Sequence, residues 1–240
     1  MILNPKSDPL GQAIYNYLFR GDNTPVLVSS NAVEDEELPP EYFFRNYDDM
    51  PMLERVALKK CKGNILDVGA GAGCHSLYLQ NAGFNVTSLE ISELCCEVLK
   101  KRGINNVVNS DIYSFSNQKF DTILLLMNGI GISGNIEGLT TLLTHLKSLL
   151  TENGSIILDS SDLIYLFKDE DDSIFIDINA EKYYGEIDYQ IKYKDITGDS
   201  FSWLFADSVL LDETANEAGL KTEILEYGPH YDYLAKLFTK

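Results

Sequence analysis

Between about residues 64 and 159 the chain alternates short apolar runs with amphipathic stretches. Asn64-Ile65-Leu66-Asp67-Val68 reads as a buried strand, followed by a glycine loop and a helix over about 74–82 that Gly83 stops. A strand over 84–89, a helix over 92–101 closed by Gly103 and a short strand over 106–108 repeat the unit. The run 120–127 is a fourth strand. Leu139, Leu142, Leu143, Leu146, Leu149 and Leu150 then recur at helical spacing over 136–150, and 155–159 is a fifth strand after Gly154. Strands alternating with helices predict a parallel sheet covered on both faces.

The last third has another texture. Tyr183, Gly185, Ile187, Tyr189, Ile191 and Tyr193 alternate with polar residues, Gly198-Asp199 is the expected turn, and Phe201, Trp203 and Phe205 alternate on the return. This predicts a hairpin insertion at about 183–206. A helix over 209–218 and strands over 220–227 and 231–239, joined at Gly228-Pro229, complete the sheet at one edge. Residues 1–50 are less regular: a helical patch over 10–19, a loop rich in Glu and Pro over 34–40, and an aromatic cluster Tyr42-Phe43-Phe44 with Tyr47. They form an N-terminal segment expected to cover the active site. A helix over about 51–60 begins the main domain, 51–240.

With 240 residues, the chain is one domain or one domain with an added lobe. Hydrophobic residues at 45% and charged ones at 23% place it among globular proteins. No apolar run approaches the ~18 residues of a membrane span, so a cytoplasmic protein with no membrane partner is expected. Thirty-seven acidic against 19 basic residues give a net charge of −18, which argues against nucleic acid and favours a small neutral or cationic ligand. The acidic run 169–172 reads as a solvated loop. The four cysteines contain no CxxC pair, which disfavours a disulfide framework or zinc.

Asp67-Val68-Gly69-Ala70-Gly71-Ala72-Gly73 stands between a strand and a helix, where glycines admit a tight turn and let a ligand meet backbone N–H groups. The third glycine falls at Gly73, and Cys74 occupies the place where a dinucleotide fingerprint wants Gly or Ala, which weakens a nicotinamide oxidoreductase. No Gly-Lys-Ser/Thr follows, so the loop is not a phosphate-binding P-loop.

This loop resembles motif I of the class I S-adenosylmethionine-dependent methyltransferases. The resemblance continues at Glu90, at the end of the second strand, where the family places an acid for the ribose hydroxyls, and at Asp111-Ile112, matching the residues that hold the adenine. It implies a doubly wound, Rossmann-like α/β fold with a seven-stranded, mostly parallel sheet whose last strand is antiparallel. It also implies S-adenosylmethionine as cofactor, bound by Asp67, Gly69, Ala70, Gly71, Gly73, Glu90, Ile91, Asp111, Ile112, Met127 and Asn128. The acceptor would be a small molecule in a pocket walled by the N-terminal segment around Tyr42 to Tyr47, by Asn128, Gly129 and Ile130, and by the hairpin with Trp203, with Tyr47, Asn128, Gly129 and Trp203 as its expected residues. The Asn/Asp-Pro-Pro-Tyr motif of amino-group methyltransferases is absent after the fourth strand, and Asn128 stands where metal-dependent relatives want Asp. No metal is expected, and Asp159 and Asp162 read as cap and loop residues. His75 reads as a helix-start residue rather than a catalytic base. A non-catalytic cofactor-binding module with a protein partner is the alternative. The aromatic face of the hairpin should either cover the pocket or form a homodimer seam, and packing against the chain's own sheet is favoured.

Overall fold

A computed structural model describes residues 2–169, 173–174 and 182–239, so residues 170–172 of the acidic run lie outside the described part. The described strands form two sheets. In the larger, β3 (Asn64–Val68), β4 (Asn85–Glu90), β5 (Val107–Asn109), β6 (Phe120–Leu125) and β7 (Leu150–Ser161) are parallel. β12 (Asp232–Thr239) runs antiparallel between β7 and β11 (Leu220–Tyr227), giving the order β11-β12-β7-β6-β3-β4-β5. The order reverses direction at β3, the place where open α/β sheets hold their ligands beyond the strand ends.

Both faces are covered, so the central strands are apolar on both sides. Leu66, Ile123, Leu125, Ile156 and Leu158 face one core with α5 (Ile136–Ser148) and α6 (Ser208–Glu217). Ile65, Leu124 and Ile157 face the other with α2 (Met52–Lys60) and α3 (Cys74–Asn81). Leu139, Leu142, Leu143 and Leu146 are all fully buried, the helical stripe expected of them. α4 (Glu93–Lys101) packs beside α1 (Pro9–Arg20) through Cys95, Val98 and Ile14.

Several boundaries differ from the sequence reading for identifiable reasons. β6 ends at Leu125 rather than residue 127 because Met127 (φ +61°) and Asn128 (φ +54°) turn left-handed. β7 reaches Ser161 because β12 pairs along its whole end, Asp232 opposite Ser161. The hairpin turn is not at Gly198-Asp199. β8 (Glu186–Tyr193) reverses at Lys194-Asp195, with Lys194 at φ +55°, into β9 (Ile196–Thr197). Residues 198–200 are a break before β10 (Phe201–Leu204) returns to the same edge of β8.

The Glu- and Pro-rich stretch is not all loop, since Glu36–Leu38 is β2, paired with β1 (Val26–Ser30). β1 in turn pairs with β8, so the N-terminal segment and the insertion build the second sheet together, in the order β10-β8-β1-β2. This partnership links residues some 160 positions apart, as in Leu27 opposite Lys192. No local pattern encodes it. Trp203 packs within its own chain, where a Cβ added to Gly131 would collide with the indole.

Candidate functional site

The glycine loop leaves β3 with Gly69 (φ +71°), Gly71 (φ +55°) and Gly73 (φ +83°) all left-handed, a conformation in which side chains are strained. Their surroundings differ. A Cβ at Gly69 would meet nothing within 4 Å and one at Gly71 only the Gly69 carbonyl at 4.0 Å, whereas at Gly73 it would lie 2.5 Å from Leu99 Cδ2. Gly73 therefore lets α4 approach, while Gly69 and Gly71 leave space above the backbone. Beneath the loop Asp67 is 2% exposed, and its carboxylate accepts the Ser76 hydroxyl at 2.5 Å. Burial raises its pKa against the opposing charge of His75 and the Ser76 bonds. It ties the start of α3 to the strand end from below.

Glu90 ends β4 with each carboxylate oxygen on a backbone donor: Oε2 accepts from Gly71 N–H at 2.8 Å and Oε1 from Ser92 N–H at 2.9 Å. Burial raises its pKa, opposed by these bonds. A carboxylate offers about four lone-pair sites, so acceptor capacity remains after two bonds. Ile91 is 36% exposed beside it, Asp111 accepts from Tyr113 N–H at 2.9 Å, and Ile112 is buried.

A cavity of about 390 Å³ opens at the neighbouring strand ends. Its walls include Tyr42, Pro51, Leu53 and Glu54 from the N-terminal side, Met127 and Asn128 after β6, Asp159 and Ser161 of β7, and His230 and Asp232 at the turn into β12. Two consecutive non-glycine residues at positive φ are a strained arrangement of the kind that collects at functional sites. The turn is held by Asp159, whose Oδ1 accepts from Asn128 N–H at 3.0 Å. Burial pushes the Asp159 pKa up to about 7. Asn128 Oδ1 is buried with no hydrogen-bond partner.

Behind this wall lies a chain of three charges. Arg45 Nη2 donates to both oxygens of Glu54 at 2.6 Å, and Glu54 Oε2 is 2.6 Å from His75 Nε2. Arg45 is 9%, Glu54 3% and His75 7% exposed. Burial alone would depress His75, but contacts with Cys74 and Glu54 outweigh it and hold the pKa up to about 10. His75 is thus held as an imidazolium against Glu54 at the first turn of α3.

Known proteins share this fold. Residues 66–158 match the family described as a methyltransferase domain. An S-adenosylmethionine-dependent methyltransferase from Bacteroides fragilis, solved in complex with S-adenosylhomocysteine, is 43% identical, with a TM-score of 0.93 over 100% of this chain and 98% of that one. This chain belongs to the S-adenosylmethionine-dependent methyltransferases. The CcbJ methyltransferase of Streptomyces caelestis, 14% identical with a TM-score of 0.59 over 80% of this chain and 94% of that one, shares the fold. A 23S rRNA (uracil(747)-C(5))-methyltransferase of Pyrococcus horikoshii is 33% identical over 95 residues, 36% of this chain. The chain spans 23% of that protein's length.

S-adenosylmethionine is the cofactor of this methyltransferase, and the open space over Gly69 and Gly71 beside the Glu90 carboxylate fits it. Of the residues expected around the acceptor, Asn128 lines the cavity, as does Met127 from the cofactor set. Tyr47, Gly129 and Trp203 do not. Tyr47 stacks on Tyr78 at 4.4 Å, and Trp203 lies against Gly131. The segment around Tyr42 to Tyr47 is expected at the pocket, and Tyr42 lines the cavity. Sequence reasoning missed the Arg45–Glu54–His75 chain, because its members meet only in the fold. It also placed Asp159 among caps. Asp162 is such a cap, accepting Ile164 N–H at 2.9 Å, but Asp159 lines the cavity.

Proposed function

We propose that this methyltransferase transfers the methyl group of S-adenosylmethionine to a small molecule held in the cavity walled by Tyr42, Glu54, Asn128 and Asp159. One observation carries the reading: the glycine cradle and the cavity stand at the carboxyl ends of β3 and β6, strands paired directly to one another. When bound, S-adenosylmethionine supplies a methyl carbon made electrophilic by the adjoining sulfonium. The chain's part is to position and to exclude water. Gly69, Ala70, Gly71 and Gly73 bring the backbone close, Glu90 receives the ribose hydroxyls, and Ile91, Asp111 and Ile112 hold the adenine. Asp67 supports the loop, while Met127 and Asn128 separate cofactor from acceptor. Residues 1–50 form the cover and the insertion at 183–206 braces it through the shared sheet.

A cavity of about 390 Å³ falls in the ~300–1,000 Å³ range of small-molecule pockets. The charge of −18 opposes the phosphate contacts on which RNA binding depends. Among the described residues no helix is long and apolar enough to cross a membrane.

Thermal unfolding with S-adenosylhomocysteine tests the cofactor side. At ~100 times the dissociation constant it should add about 2.7 kcal/mol of stability, and NAD should add none. A response to NAD alone would overturn the assignment. Release of S-adenosylhomocysteine on mixing S-adenosylmethionine with pooled small metabolites is the expected result for the acceptor side, and release with RNA alone would sink it.

Glu90→Ala should weaken S-adenosylhomocysteine binding by about 1.5–3 kcal/mol, the range for a hydrogen bond to a charged group. It also frees the Gly71 and Ser92 amides, so Glu90→Gln should fall between variant and wild type. Unchanged affinity by calorimetry in both would place the ribose contact elsewhere.

A further inference from the structure

The cavity wall has a lopsided donor set. Glu54, Asp159 and Asp232 bring three carboxylates to it, together with the Asn128 side chain, and among the described residues no lysine or arginine lines it. Arg45, the cation behind the wall, is held by other groups: Nη1 donates to the Tyr42 carbonyl, Nη2 to Glu54, and the guanidinium lies 4.3 Å over the Tyr42 ring, while its Nε is buried without a partner. Glu54 is neutralised by Arg45 and His75. Asp232 is turned into its own loop, where it accepts from His230 N–H at 2.9 Å. Asp159 differs from both. Apart from its own backbone, the donor it meets among the described residues is the uncharged Asn128 N–H, and no cation pairs with it.

We infer that the methyl acceptor is a small-molecule amine that enters as its ammonium ion, pairs with Asp159, and gives that carboxylate its proton before methylation. The inference rests on the proposed methyl transfer in this cavity and names its substrate class. An ammonium supplies the charge that Asp159 lacks and a donor within the wall that holds the unpartnered Asn128 Oδ1. An anionic acceptor would instead meet Asp159 and Asp232, with Arg45 and His75 already paired to Glu54 and, among the described residues, no lysine or arginine on the wall to receive it. The same groups are no metal cage, since among the described residues no three His, Cys, Asp or Glu side chains converge as ligands.

The proton balance closes. R–NH₃⁺ and the Asp159 carboxylate become R–NH₂ and the Asp159 carboxylic acid. The nitrogen lone pair then bonds the methyl carbon as the carbon–sulfur bond breaks, its electron pair leaving on sulfur, and the product is R–NH₂⁺–CH₃. Asp159 loses its proton to solvent as that product leaves. Asp159 faces Glu54 from α2, His75 from α3, Tyr42 from the N-terminal segment and Tyr233 from β12, with Asp232 and His230 across the cavity. Burial and the Glu54 charge push its pKa up, the Asn128 N–H and His75 pull it down, and the balance near 7 suits a group that takes a proton and returns it.

The test is calorimetric binding to the protein saturated with S-adenosylhomocysteine, at pH 8, of benzylamine, phenethylamine and putrescine, each beside its alcohol and carboxylate counterparts. At least one amine should bind at least about tenfold more tightly than its alcohol, with carboxylates weakest. Asp159→Asn keeps an oxygen for the Asn128 N–H and removes the charge, so it should bring amine and alcohol to parity without changing affinity for S-adenosylhomocysteine. With an amine that is methylated, kcat should fall by about 10²–10⁴ in that variant and the pH-profile limb near 7 should vanish. No amine preferred over its alcohol, or a preference that survives Asp159→Asn, overturns the inference and leaves cofactor binding standing. Amine binding through Asp159 in a protein that ignores S-adenosylhomocysteine would sink the methyl-transfer reading and, with it, the assignment of the bound amine as a methyl acceptor.

Discussion

Glu54→Ala is expected to cost the folded protein about 3–5 kcal/mol, the range for removing one partner of a buried ion pair. The carboxylate is 3% exposed and touches two cations, so its loss strands both the Arg45 guanidinium and the His75 imidazolium. Arg45 belongs to the N-terminal segment, Glu54 to α2, and His75 to the first turn of α3, directly after the glycine loop. The variant should therefore loosen the N-terminal segment that walls the cavity and the glycine loop together. Glu54→Gln preserves shape and one hydrogen bond and should lose less.

The pH dependence follows from the same contact. His75 stands at about 10 in the fold against 6.5 unfolded, so its stabilisation is complete below pH 6.5 and is lost as the pH rises toward 10. In Glu54→Ala one of the groups holding the imidazolium is gone, and this alkaline loss should become shallower. Urea unfolding between pH 6 and 10 measures both effects. An alanine variant within about 1 kcal/mol of wild type at pH 7 would show that the three charges do not act as a unit.

Gly71→Val should abolish detectable cofactor binding, a loss of more than about a hundredfold, or ~2.8 kcal/mol. Two causes act together. The residue sits at φ +55°, where a branched side chain is strained, and its Cβ would project into the open space over the loop. Gly73→Val has the opposite profile. There the added carbon would lie 2.5 Å from Leu99 Cδ2, so it should separate α3 from α4 and cost stability first. Calorimetry with S-adenosylhomocysteine, read beside thermal unfolding, distinguishes them. Full affinity in Gly71→Val would mean that the loop does not touch the ligand.

How much was legible beforehand depends on the range of the interactions. The strand-loop-helix unit at 64–81 is written in contiguous residues: a strand apolar toward both cores, glycines at the left-handed turns, and Gly83 to stop the helix. Each preference there is satisfied within a few residues, and the elements of the larger sheet emerged within a few positions of their expected bounds. The expected cofactor residues have the same character, since Asp67, Gly69, Gly71 and Glu90 stand at strand ends and sheet order alone brings β3 beside β4.

The acceptor side is assembled from distant pieces. The β2 strand has no alternating pattern, being a three-residue edge strand with two glutamates, and it forms because β1 is already held by β8 from the far end of the chain. The Arg45–Glu54–His75 chain joins three separate elements, and nothing near His75 in sequence announces its partners. Asp159 reads like any acid near a strand end until β12 lengthens β7 and the left-handed turn at Met127 and Asn128 brings an amide to it. Fold class followed from the alternating pattern and the cofactor from the resemblance of the glycine loop to motif I, because both are carried by contiguous residues; the shape and charge of the proposed acceptor pocket were decided by tertiary structure, because burial and long-range pairing determine which side chains meet and which charges go unanswered.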